Sequence, residues 1–123
     1  MSTWTTEQVD TIGAAQEIRL APLRPDGTAH SAVTMWVVRV ADRLFIRSAN
    51  GRSGSWFEQV LKTGHALLHA GGNEYAVEVT EPGHDLDPAI DEGYRSKYGG
   101  QTSAVNAMVA AGAQAAALEL LPR

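Results

Sequence analysis

Apolar residues recur along this chain with two different periods, and the switches between them divide it into elements. In "TTEQVDTIGAA" the apolar positions fall at helical spacing behind a Thr-rich, acidic start and before a Gly, which predicts a short amphipathic helix. "QEIRLAPLRPDGT" then alternates, with Ile18 and Leu20 on one face, and stops at Pro-Asp-Gly, a turn-forming run. "SAVTMWVVRVADRLFIRS" is rich in β-branched and aromatic residues and reads as two strands joined tightly at Ala41-Asp42. In "SGSWFEQVLKTG" the period returns to helical: Trp56, Phe57, Val60 and Leu61 share a face, and Gly64 marks the stop. "HALLHAGGNEYAVEVT" reads as a second hairpin turning at Gly71-Gly72-Asn73. A helix follows in "LDPAIDEGYRSKYGG", with Asp87 at its cap and Pro88 in its first turn, and "AAALELLPR" closes the chain as a strand.

Five or six strands, paired mostly as hairpins and interrupted by helices, predict a mainly β fold with α decoration: a small antiparallel barrel with two to three peripheral helices. The Ala-rich "AVNAMVAAGAQAAA", residues 104–117, fits either a helix or a loop over the barrel mouth. A chain of 123 residues that is 44% hydrophobic fills one core, so residues 1–123 are expected to form a single domain.

Composition removes several function classes. With no cysteine the chain has no thiolate metal site, Cys nucleophile or disulfide, which fits a cytoplasmic location. No segment approaches the roughly 18 apolar residues of a membrane span, and the start has no basic, apolar leader pattern. The net charge of −4 argues against a nucleic-acid partner. The charges are unevenly placed: Arg39, Arg43, Arg47 and Arg52 share their stretch with Asp42 alone, whereas the acids from Glu74 to Glu92 have no Lys or Arg among them. That acidic run reads as a solvated face with Asp87, Asp91 and Glu92 at a helix start, where the dipole favours acids.

The basic stretch coincides with the strand-to-helix junction "FIRSANGRSGSWFEQV". Residues 49–55 would form a loop at a helix N-terminus, where free N–H groups favour an anion. Gly51 and Gly54 permit close approach, Arg52 offers a guanidinium, and Ser48, Ser53 and Ser55 offer hydroxyls. These are the parts of a phosphate or carboxylate cradle; the plainer reading is a polar turn with Ser53 or Ser55 as N-cap. In "HALLH", His65 and His69 would share one face of a helix within reach of one metal. On a strand their rings start about 13 Å apart, and the flanking glycines favour the strand, so no metal site is expected. If that strand face lines the barrel, His69 could act as an acid or base near neutral pH. Trp36 suits either core packing or a cavity wall for a planar ligand. Tyr98, one turn from Tyr94, either packs on the barrel or donates to a ligand carbonyl.

"TMWVVRVADRLFIRSANGRSGSWFEQV", with "EIRLAPLRPDGT", "HAGG", "AIDEGYRSKYG" and "LELLPR", resembles the uncharacterised bacterial family DUF2255 over nearly the whole chain. That family is similar to the FMN-binding split-barrel proteins, which include pyridoxamine-phosphate oxidases and deazaflavin-dependent reductases. The resemblance implies a split β-barrel, a homodimer, and FMN or the deazaflavin F420 as cofactor for hydride transfer to a small organic substrate. It assigns Arg47, Ser48, Asn50, Gly51, Arg52 and Ser53 to the cofactor phosphate and Trp56 to the pocket wall. A donor beside the reacting group would come from His69, Tyr75 or Tyr98, and Trp36 and His65 would line a substrate cavity. Two alternatives stay open: a cofactor-free isomerase, dehydratase or cyclase using the same cavity, and a ligand-binding protein without turnover.

Overall fold

The computed structural model describes residues 3–123. Helix α1 (Thr6–Ala14) begins with a reciprocal cap: the Thr5 hydroxyl accepts from the Gln8 N–H, and the Gln8 side chain accepts from the Thr5 N–H. Strand β1 (Ile18–Pro22) and the short β2 (Val33–Met35) and β3 (Val38–Val40) follow, then β4 (Arg43–Arg47). A 3₁₀ turn at Gly51–Ser53 leads into α2 (Ser55–Thr63), which ends at Gly64 in the left-handed conformation (φ 72°). The hairpin of β5 (His65–Ala70) and β6 (Asn73–Thr80) precedes α3 (Asp87–Tyr98), α4 (Thr102–Val109) and α5 (Ala111–Gln114), and β7 (Ala117–Pro122) closes the order. The alanine-rich stretch therefore folds as two short helices, which raises the helical decoration to five among the described residues. Leu86 caps α3, and Asp87 is its first helical residue.

The strands form one seven-stranded sheet in the order β2-β1-β5-β6-β7-β4-β3, antiparallel at every pairing. One feature of this order dictates the curvature. β2 and β3 lie at opposite edges of the sheet, yet only Trp36 and Val37 separate them in the chain. The sheet must curl until its edges meet, which is the geometry of a split barrel. What alternation presents as one long strand over residues 33–40 is thus two strands serving two edges, and the count rises from the expected five or six to seven.

Alternation along each strand fills the interior. Ile18, Leu20, Leu44, Ile46, Leu68, Val77, Leu118 and Leu120 are fully buried in one cluster, and Ile12 of α1 with Phe57 and Val60 of α2 close it. The opposite faces of β3 and β4 supply Val38 and Phe45 to a second cluster, built with Ile90, Tyr94 and Tyr98 of α3 and Val105 and Met108 of α4. The apolar stripe of α3 at positions 90, 94 and 98 is the reason that helix lies against the outside of the barrel.

At Val37 in the seam between β2 and β3, and at the end of α1 beside it, α3 supplies partners for backbone groups. Lys97 Nζ donates to the carbonyls of Gly13 (2.9 Å), Ala15 (2.7 Å) and Val37 (2.8 Å). The Tyr98 hydroxyl donates to the Gln16 carbonyl at 2.8 Å and accepts from the Val37 N–H at 3.4 Å. Its ring stacks on Trp36 with centroids 3.9 Å apart and planes 4° from parallel. Burial pulls the Lys97 ammonium down to about 8, and the three carbonyls act in the opposite sense by accepting from the charged form. Replacing Lys97 with Met takes this donor from all three carbonyls, and of them Val37 keeps a bond from the Tyr98 hydroxyl at 3.2 Å. We expect Lys97→Met to lower the unfolding free energy by about 2–4 kcal/mol, read as a lower urea midpoint at unchanged slope; a loss below about 0.5 kcal/mol would show the seam does not need it.

Candidate functional site

The strand-to-helix junction is organised around a buried arginine. Arg47, the last residue of β4, has a side chain with no solvent exposure. A guanidinium removed from water needs matched acceptors, and the acceptors come from the helical layer. Arg47 Nη1 donates to the Asp91 carboxylate at 2.5 Å and to the Met108 carbonyl at 3.0 Å, and Nη2 reaches the Asp87 carbonyl at 3.4 Å. The Asp87 carboxylate lies 3.5 Å from Nη2, and Gln114 donates to the second Asp91 oxygen at 2.9 Å. The Tyr94 ring sits under the guanidinium, with Cζ 5.6 Å from its centroid. Burial pushes the Tyr94 hydroxyl well above the ordinary tyrosine range.

Asp87 and Asp91 are therefore turned inward, not onto the solvated face that the acidic run suggests. Their spacing of four places both on one side of α3, beside the Ile90, Tyr94 and Tyr98 stripe, and this was the signal available in the sequence. Arg52 is also paired: it donates to the Glu81 carboxylate at 2.5 Å and to the Ala115 carbonyl at 3.0 Å, which carries it to the α5 side of the junction. That bond holds Glu81 below its usual range, and Arg52 above its own.

A slot of about 400 Å³ opens beside this junction. It is lined by Val33, Met35 and Trp36 around the β2–β3 link, Ala104, Ala107 and Met108 of α4, Arg47, Ser48, Ala49 and Asn50 of the junction, Trp56 of α2, and the acidic Glu17. Its surface is mainly apolar and aromatic, with a few polar groups, the usual composition of a small-molecule site. Ser48 is buried and its Oγ has no hydrogen-bond partner; Arg47 Nε is likewise unpaired. Ser48 lies so close to the N-cap of α2 that a Cβ added to Gly54 would sit 2.5 Å from its Oγ, which explains the glycine there. Neither Ser53 nor Ser55 caps α2; Gly54 does, without a side-chain bond.

Val33, Asn50 and Trp56 also border a second depression of about 410 Å³. Arg24, His30, Ser31, Ser55 and Gln59 complete its lining. Arg24 and His30 belong to the Pro-Asp-Gly turn between β1 and β2, and only the fold brings them to the junction.

The structure thus gathers Trp36, Arg47, Ser48, Asn50 and Trp56 around one slot, while Gly51, Arg52 and Ser53 lie on its far side or in the 3₁₀ turn. The histidines of β5 are on the strand face opposite Ala66, Leu68 and Ala70, which are the residues buried in the barrel. They meet different carboxylates across the β5–β6 hairpin: His65 lies 4.0 Å from Glu78 and His69 3.5 Å from Glu74. His69 borders another open depression, with Arg19, which shares Glu17 and Thr34 with the slot although His69 itself does not line the slot. Tyr75 packs edge-on against Trp4, with centroids 5.7 Å apart. Tyr98 has its hydroxyl engaged at the seam, and burial pushes that hydroxyl up to about 12. None of the three candidate donors lines the slot.

The curled seven-stranded antiparallel sheet with helices packed on its outside is a split-barrel fold. The chain belongs to a bacterial family described as uncharacterized and conserved in bacteria, DUF2255, whose model matches residues 8–120. No curated protein sequence matches it. Among solved structures it is similar to an F420 reductase, at 16% identity and a TM-score of 0.61 over 93% of this chain and 90% of that one. A FAD-binding protein from Mesorhizobium loti matches at 14% identity and a TM-score of 0.57, over 98% of this chain and 89% of that one. A pyridoxamine 5'-phosphate oxidase-related, FMN binding protein from Nostoc punctiforme matches at 14% identity and a TM-score of 0.51, over 94% and 74%. At these identities the likeness is one of fold.

Removing Asp91 leaves a buried guanidinium without its closest counter-charge. Asp91→Ala is expected to cost about 3–5 kcal/mol of stability by chemical denaturation, well beyond an exposed-pair control such as Asp10→Ala; equal effects of the two would refute the buried-pair account.

Proposed function

We propose that this protein binds a flavin or deazaflavin, FMN or F420, in the slot between Trp36 and Trp56 and presents it to a small organic substrate for hydride transfer. The observation that carries this reading is the slot itself: a largely apolar, aromatic-walled space at the junction that such a cofactor requires, in a fold shared with an F420 reductase and FAD- and FMN-binding proteins. The residues fit such a group. Trp36 and Trp56 offer flat faces for a ring, Met35 and Met108 adapt to its edges, and Ser48 and Asn50 supply polar groups.

When bound, the cofactor supplies the redox chemistry. The chain's own residues orient the ring and keep water from one face, and the stacked Trp36–Tyr98 pair holds its wall rigid. Arg47 takes part through position: its bonds to Asp91 and the Met108 carbonyl fix the α3–α4 layer, of which α4 lines the slot. A homodimer, as the family resemblance implies, would bring a second copy's residues to the open side of the slot, and native mass spectrometry gives its stoichiometry directly.

A second reading takes a neutral organic molecule in the same slot, with no redox group, for an isomerisation or simple binding. One observation favours it: Arg47 and Arg52 are both matched by carboxylates, so the slot has no unpaired arginine of its own. Titrating the protein with FMN and with F420, following tryptophan fluorescence, separates the two. The first reading predicts saturable quenching by one of them and a loss of roughly tenfold or more in affinity in Trp56→Ala. Absence of quenching by either, in a folded sample, would favour the second.

A further inference from the structure

The paired histidines of β5 have no part in the slot, and the sheet face that carries them is bare. We infer that the outer face of the β5–β6 hairpin is a docking surface for a second copy of this chain, closed by His65 and His69 of each copy on Glu78 and Glu74 of the other. The inference needs no bound ligand, so its failure leaves the reading of the slot where it stands.

Among the described residues no helix lies over this face. The helical layer packs on β3 and β4 through Val38 and Phe45, whereas Glu74, Ala76 and Glu78 of β6 are exposed and His65, Leu67 and His69 of β5 are half-buried. Strand pairing sets these side chains in rows. Ala21, Leu67 and Ala76 are in register across β1, β5 and β6 and give an apolar centre. On one side of it stand Arg19, His69 and Glu74, and on the other His65 and Glu78, next to Leu121 of β7. In both charged rows the histidine is on β5 and the glutamate on β6.

That arrangement is self-complementary. A two-fold axis running along the strands between β5 and β6 sets β5 of each copy over β6 of the other, face to face, and keeps the rows in step. His69 then meets Glu74 of the second copy, His65 meets Glu78, and Leu67 covers the small Ala76, a combination that suits the roughly 10 Å spacing of stacked sheets. An axis centred on β5 would place histidine on histidine, and one centred on β6 glutamate on glutamate. The charges therefore select one register.

The same groups make closure depend on pH. Within the chain His69 faces Glu74 at 3.5 Å and Arg19, with Glu17 in the same depression, and His65 faces Glu78 at 4.0 Å and the backbone of Leu23. Docking brings a second carboxylate to each imidazole, and the charged imidazole binds it more strongly than the neutral one. Association thus takes up protons: affinity rises as pH falls through the histidine range and is lost as pH rises through it.

Sedimentation velocity of the full chain tests both parts. The wild type is expected to be a dimer at about pH 6 and to associate roughly tenfold more weakly at about pH 8. Glu74→Lys with Glu78→Lys, and separately His65→Glu with His69→Glu, are each expected to leave the chain monomeric on its own. Mixed in equal amounts, the two variants form a dimer of one copy each. That dimer responds to pH about half as steeply, because Lys–Glu contacts replace half of its His–Glu contacts. A wild type that stays monomeric at both pH values at roughly 100 μM overturns the surface, as does a dimer that either folded variant leaves intact. A mixture of folded variants with no mixed dimer overturns the register, and a wild-type dimer with the same affinity at both pH values overturns the part assigned to the histidines. Circular dichroism of each variant shows that it is folded.

Discussion

An arginine with no solvent exposure at the end of a β-strand cannot exist alone, and most of the outer layer of this molecule can be traced to how Arg47 is accommodated. Its guanidinium is held by Asp91 and Asp87 on α3 and by the Met108 carbonyl at the end of α4, with the Tyr94 ring beneath it. These contacts fix two helices against the outside of the barrel at the point where β4 leaves the sheet. The apolar stripe of α3 supplies the driving force for packing, and the ion pair sets its register, since a slip along the helix would bury one charge without the other.

The second constraint is the split. Two sheet edges are joined by only Trp36 and Val37, and the Val37 carbonyl between them takes hydrogen bonds from outside the sheet. Lys97 and Tyr98 supply them from the last turn of α3, and Tyr98 at the same time stacks on Trp36. One helix thus carries at its start the acids that match Arg47 and at its end the groups that close the seam. Through Asp91 and Tyr98 the same helix holds Arg47 and Trp36, both of which line the slot.

Much of this was legible from residue order. Alternation located β1, β4, β5 and β6, the glycine after α2 marked its stop, and the resemblance of the junction to DUF2255 carried over to a family match across residues 8–120. What alternation does not register is a change of partner within an unbroken apolar run. Residues 33–40 look like one strand because each residue is extended; only the closure of the barrel shows that the two halves pair with opposite edges. The charge reading failed for a related reason. Arg47 seemed unmatched because its neighbours in sequence are basic, whereas its counter-charge is 44 residues away. Arg24 and His30 were invisible as site residues because their turn reaches Trp56 only through the fold. The family likeness indicates which region matters, and the structure shows which of its side chains are free to act.

The central claim, that the ligand's aromatic part lies between Trp36 and Trp56, is tested most directly by the indole N–H signals in a proton–nitrogen NMR spectrum. The chain has three tryptophans, and Trp4 is engaged elsewhere, its Nε1–H donating to the Leu120 carbonyl at 2.9 Å. On titration with FMN or F420, the account predicts that the signals of Trp36 and Trp56 move together and saturate while that of Trp4 stays in place. Movement of Trp4 alone, or of none of the three, would contradict it.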